Sequence, residues 1–117
     1  MRIVILFLIT LFLWTSYCQA EQWIATAYCP CKACCGKSDG ITASGVKAKQ
    51  GITCAINWLP FGTLVSVDGE TYIVEDRGAR SDFGDKKHHN KHVDIFFNKH
   101  SDAKKFGRRV VEVEVLS

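Results

Sequence analysis

The chain has 117 residues, six cysteines and a formal net charge of +3. A charge this mild does not point to nucleic acid, and no run of residues reads as a helix that would enter a groove. No internal repeat is present, and no segment has the composition of a disordered tail.

In chain order, Met1 and Arg2 make a short basic start, followed by a 12-residue apolar run from Ile3 to Trp14 broken only by Thr10. Small and polar residues then lead to Ala20. This pattern reads as a secretory signal peptide over residues 1–20. The apolar run is short of the roughly 20 residues that span a bilayer, so no stable membrane insertion is expected after cleavage. The expectation is a secreted or cell-envelope protein with one small domain over residues 21–117.

Residues 23–28 read as a strand, stopped by Cys29-Pro30. A loop rich in Cys, Gly and Lys runs from there to about Gln50. Residues 53–56 form a short apolar run, and Leu59-Pro60-Phe61-Gly62 a turn. Residues 63–67 alternate like a strand and break at Asp68-Gly69, a hairpin signal. Residues 71–76 are the returning strand. Residues 80–91 form a polar loop with no apolar period, and residues 92–97 a further strand. Ser101 is placed as the cap of a short helix over residues 103–106, with Gly107 as its stop. Residues 111–115 alternate apolar and acidic, the clearest strand of the chain. Many short strands with one short helix favour a small β-barrel over a sandwich.

Strand alternation locates the chemistry. Val93, Ile95 and Phe97 share one face, so Asp94 points the other way with His92 and Phe96. Asp76 ends its strand on the face of Tyr72 and Val74. If the two strands pair, the carboxylates come together, and close like charges raise one pKa. A carboxyl that keeps its proton near neutrality is the general acid that glycosidic cleavage needs. The structural alternative is Asp76 as a turn residue and Asp94 in an ion pair with Arg77 or Arg80.

The cysteines Cys29, Cys31, Cys34, Cys35 and Cys54 follow the signal. In an exported chain they read as disulfide candidates, with Cys54 expected to pair with one of the four upstream. The close spacing of Cys29, Cys31, Cys34 and Cys35 is also a metal-cluster signal, outweighed here by export, and no metal or other cofactor is expected. No histidine is placed beside a particular cysteine, so a Cys–His nucleophile is not drawn. His88, His89 and His92 are read as part of a polar loop rather than as zinc ligands. The lysines over residues 86–91 form a solvated surface, with attraction to acidic groups as its functional reading.

Six segments in order, Ala25-Thr26-Ala27-Tyr28-Cys29, Cys34-Cys35-Gly36-Lys37, residues 40–45, Leu59-Pro60-Phe61-Gly62-Thr63, Glu75-Asp76-Arg77-Gly78 and Val93-Asp94-Ile95-Phe96, resemble the three-aspartate (3D) domain of bacterial and phage cell-wall proteins. That domain is similar to the catalytic part of membrane-bound lytic transglycosylase A and to the rare lipoprotein A domain. The resemblance implies a six-stranded double-psi β-barrel acting as a monomer on peptidoglycan glycan strands. It implies anhydro-forming cleavage between MurNAc and GlcNAc, with Asp94 as acid and base and Asp76 as the second aspartate. Thr42 and Ser44 match a polar loop lining the substrate groove, and Asn57 and Arg77 complete the substrate-binding candidates. The chain departs from the pattern at Asn57, where the family carries its third aspartate. That change removes a negative charge and weakens the pKa support for Asp94. The alternative on the same fold is a non-catalytic module that binds the cell wall.

Overall fold

The computed structural model describes residues 20–35 and 39–117. The expected signal peptide falls on residues 1–19 and Ala20, so all but its last residue lies outside that range. Six strands are formed: β1 (Glu21–Tyr28), β2 (Thr53–Ala55), β3 (Leu64–Val67), β4 (Glu70–Asp76), β5 (His92–Phe96) and β6 (Arg109–Val115). They close into a barrel in the order β1-β5-β2-β4-β3-β6. Two neighbouring pairs, β1/β5 and β2/β4, are parallel, and the other contacts are antiparallel. The architecture is the mainly-β, six-stranded barrel that the sequence predicts. Among the described residues no helix is long and apolar enough to cross a membrane.

The interior follows from period-two alternation. Trp23 and Ala25 of β1, Cys54 of β2, Val65 and Val67 of β3, Val74 of β4, Val93 and Ile95 of β5, and Val111 and Val113 of β6 all point inward. Closing the sheet removes every edge, so a core this thin still buries its β-branched residues on all sides. The hairpin between β3 and β4 turns at Asp68 (φ 49°) and Gly69 (φ 86°), two successive left-handed residues. That geometry matches the twist of the strands it joins.

Helices are peripheral. Among the described residues, single turns occur at α1 (Lys32–Cys35) and α2 (Arg80–Phe83), and α3 (His100–Phe106) is the one longer helix. α3 starts before Ser101, with Lys99 in the extended conformation at the cap and no side chain capping the first turn. Ser101 is therefore inside the helix, not its cap. Gly107 (φ 66°) ends it as the sequence predicts. α2 forms inside the stretch read as a featureless polar loop. Its one apolar anchor is Phe83, which is buried and stacks on His92 with 4.0 Å between ring centroids. His92 is accordingly buried on β5 rather than part of an exposed loop, while His88 and His89 remain exposed.

Two further expectations are corrected. The strands carrying Asp76 and Asp94 do not pair, because β2 is inserted between β4 and β5. None of Cys29, Cys31, Cys34 and Cys54 forms a disulfide. Cys54 is fully buried in the barrel interior, where its strand position turns it away from the upstream group. The side chain of Cys35 lies outside the described set.

Candidate active site

The two carboxylates reach one cleft from separate strands, across a single small residue. Ala55 of β2 is the register partner of Asp94 on one side and of Asp76 on the other. The pairing of β2 with β4 shifts between Cys54 and Ala55: Cys54 pairs with Val74, but Ala55 pairs with Asp76. One extra residue, Glu75, is thus accommodated on β4 as a bulge, the device by which strands re-aim a side chain. Strict alternation puts Asp76 on the inward face of Tyr72 and Val74. The bulge instead sets it beside Ala55, in the wall of a cleft of about 490 Å³. Tyr28, Ala55, Asp76, Arg77, Phe83 and Asp94 contribute to its lining.

β1 supplies the hydroxyls that hold both acids. Thr26 and Tyr28 pair in register with Asp94 and Phe96, so they share one face of β1. The Thr26 hydroxyl donates to Asp94 Oδ1 at 3.0 Å and lies 2.8 Å from His92 Nε2. While Asp94 is ionised and takes the Thr26 proton, Thr26 accepts from His92 Nε2–H. The Tyr28 hydroxyl donates to Asp76 Oδ2 at 2.7 Å. Asp76 Oδ1 accepts the backbone N–H of Ala43 and of Arg77, each at 2.9 Å. Thr26 and Tyr28 are missing from the sequence-derived site. Their signal was present as two polar residues on one face of an apolar strand.

The two acids sit in different electrostatic settings. Asp76 receives three donors. Asp94 accepts from the Thr26 hydroxyl, and burial pushes its carboxyl up to about 7. The Thr26 hydrogen bond restrains that rise, and the nearby Asp76 charge adds to it. At neutral pH a partly protonated Asp94 therefore stands beside an Asp76 held by three hydrogen-bond donors, a pairing suited to acid–base chemistry on an acetal. Neither arginine pairs with Asp94. Arg77 donates to the Ile56 carbonyl at 2.7 Å and lies over the Phe61 ring at 3.9 Å. Arg80 pairs with Asp85 at 2.5 Å.

The remaining candidates hold the cleft's edges. Thr42 and Ser44 bond to each other at 2.9 Å, Thr42 also donates to the Val46 carbonyl, and the Ser44 N–H donates to the Glu75 carbonyl. They shape the turn whose Ile41 and Ala43 line the cleft. Asn57 donates to the carbonyls of Gly78 (3.0 Å) and Gly84 (2.8 Å) and accepts the Gly78 N–H at 2.7 Å. Its amide thus ties the turn over residues 78–84 to the end of β2 and borders a second, shallower cleft with Arg77, Arg80 and Lys86. Cys54 takes no part: burial in the core, ahead of the Glu75 and Asp94 charges, pushes its thiol up to about 12.

A separate cluster lies at the end of β1. Cys29, Cys31 and Cys34 converge with His100, the first residue of α3, and their four donor atoms lie within 4.8 Å of one another. The histidine that the sequence does not place beside a cysteine is brought there by the docking of α3.

No family model matches the chain. The chain is similar to "Putative cell wall shaping protein YabE" of Bacillus subtilis (strain 168), with 31% identity over 98 residues. The match takes in 80% of this chain and 22% of YabE, so the chain spans about a fifth of that relative's length.

Proposed function

We propose that the protein acts on the bacterial cell wall, in the envelope or outside the cell, as a lytic transglycosylase of peptidoglycan glycan strands. The observation that carries this reading is Asp94, a carboxyl raised to about 7 in a cleft that also holds Asp76. The likeness to a cell wall shaping protein and to the 3D domain supports the same substrate. In the reaction, Asp94 gives its proton to the glycosidic oxygen as the bond from MurNAc C1 breaks. The resulting carboxylate takes the proton of the MurNAc 6-hydroxyl while O6 closes on C1. The products are a 1,6-anhydro end and a free GlcNAc hydroxyl, and no water is consumed. Asp76, held by the Tyr28 hydroxyl and two backbone N–H groups, stands beside the positive character that develops at C1.

Asn57 favours a second reading. Its amide is committed to Gly78 and Gly84, so the third acid of the 3D pattern has no counterpart here, and the fold serves as a wall-binding module. Incubation with purified peptidoglycan, followed by mass spectrometry of the soluble products, separates the two. Anhydro-muropeptides are the expected result. Binding to the wall without new products selects the module.

A further inference from the structure

We propose that Cys29, Cys31, Cys34 and His100 form a structural binding site for a borderline-soft divalent metal ion of the zinc type. This goes beyond the glycan-cleaving reading and does not depend on it. The three thiols come from one short segment, in which the Cys31 N–H donates to the Cys29 carbonyl and the Cys34 N–H to the Cys31 carbonyl. These turns fold the segment back on itself and aim its sulfurs inward on a common point. His100 closes the fourth side from α3, more than sixty positions along the chain.

The distances fit the tetrahedral geometry of zinc. Bonds of about 2.3 Å to sulfur and 2.05 Å to nitrogen give S···N edges of about 3.55 Å. His100 Nδ1 lies 3.4, 3.6 and 3.6 Å from the sulfurs of Cys29, Cys31 and Cys34. The Cys29 sulfur lies 2.9 Å from that of Cys31 and 3.3 Å from that of Cys34, short of the S···S edge of about 3.8 Å. Metal binding therefore spreads the thiols slightly while the imidazole stays in place. Three sulfurs and one nitrogen make the Cys₃His set of closed structural sites. A single disulfide among these thiols would use two of them and leave the third beside an imidazole with no shared purpose. Burial grades from Cys29, which is buried, to Cys34 and His100, which are exposed, so an ion has a path of entry. Cys34 also lines the carboxylate cleft. A bound ion would fix the segment after β1 against α3 and, through Cys34, one side of that cleft.

The full chain, purified under reducing conditions, tests the proposal by elemental analysis and Zn²⁺ titration. One zinc per chain is expected, with a higher Tm than the metal-free protein. Substituted Co²⁺ should give the absorption of a tetrahedral, thiolate-rich site. His100→Ala and Cys31→Ser should each weaken binding by at least about 100-fold. Cys54→Ala, in the barrel interior, should bind like the parent. Circular dichroism establishes that each variant is folded, and the cobalt spectrum of the unaltered chain reads the ligand set without any substitution. Absence of stoichiometric metal, an octahedral cobalt spectrum, or full affinity in folded His100→Ala overturns the site. So does a Cys29–Cys31 or Cys29–Cys34 disulfide found by mass mapping of protein recovered from its own host.

Discussion

The cleft has a floor and a wall, and they are built by different means. The floor, with Thr26, Ala55 and Asp94, is held by backbone ladders: each residue sits where a strand pairing puts it. Its side chains are left available for chemistry. The wall, over residues 77–85, is held by side chains reaching to backbone. Asn57 makes three hydrogen bonds there, to the Gly78 and Gly84 carbonyls and from the Gly78 N–H. Asp85 accepts the N–H groups of Lys87 and His88, which hold its carboxyl well below the usual range. Gly84 (φ 76°) is required, because a Cβ would collide with the His88 carbonyl. The exposed Arg80–Asp85 ion pair adds little to this. A polar residue on the floor can therefore be changed at the cost of reactivity, whereas one on the wall is changed at the cost of structure.

Asp94→Asn breaks the floor chemically and gives the largest effect. Anhydro-muropeptide formation should fall by about 10²–10⁴-fold, the usual contribution of a general acid–base group. Stability should not fall with it. The folded-state value of about 7 lies above the ordinary 3.8, so the folded protein holds this proton more tightly than the unfolded chain. The stability that Asp94 contributes is full below 3.8 and is lost as the pH rises through about 7. At pH 8 the asparagine variant should melt at or above the parent. A variant that stays active and melts lower would reverse the assignment of Asp94 from chemistry to structure.

Asn57→Asp sharpens the comparison from the other side. It restores the acid of the 3D pattern but sets a carboxylate against the Gly78 and Gly84 carbonyls, to which an ionised side chain cannot donate. A loss of about 2 kcal/mol is expected, which lowers Tm by about 10 °C in a domain of this size. No activity should be gained. Thermal melting and the product assay, run together, check both halves.

The smallest effect is a displacement rather than a loss. Thr26→Val removes the hydrogen bond that restrains the Asp94 carboxyl, so that carboxyl should rise further. Such a bond to a charged group is worth about 1.5 kcal/mol, or about one pH unit. The alkaline limb of the pH–rate profile should move upward by that amount, with the rate at its plateau little changed. An acidic displacement would mean that Thr26 does not act on Asp94 as a donor.

What could be read in advance follows the same division. Alternation alone set Asp94 opposite Val93 and Ile95, because one strand's faces are fixed by its own residues. The turn at Asp68-Gly69 was equally local. The insertion of β2 between the two acid-bearing strands was not legible, since pairing order is decided by the closure of the whole barrel. Nor was the bulge at Glu75, which arises in the pairing of β4 with β2. α2 has no apolar period to announce it, only Phe83 finding a place against His92. The thiols could be seen as a group, but α3 brings His100 to them from far along the chain, so the group's fourth member was out of reach of spacing. The disulfide expected at Cys54 came from the export signal alone, and the inward face of β2 prevents it.

The bulge has a consequence for how this chain can vary. β4 works as a ruler that starts at the surface turn of Asp68 and Gly69 and ends at Asp76, and its last mark is read with one count to spare. A residue inserted in or deleted from that outer hairpin replaces no residue that lines the cleft. It still changes which side chain arrives opposite Ala55, because a slip of one residue exchanges the two faces of a strand. Tolerance to length changes, ordinarily greatest at exposed turns, should here be least at a turn far from the reaction, and a lineage could lose its cleft there without altering a single residue that lines it.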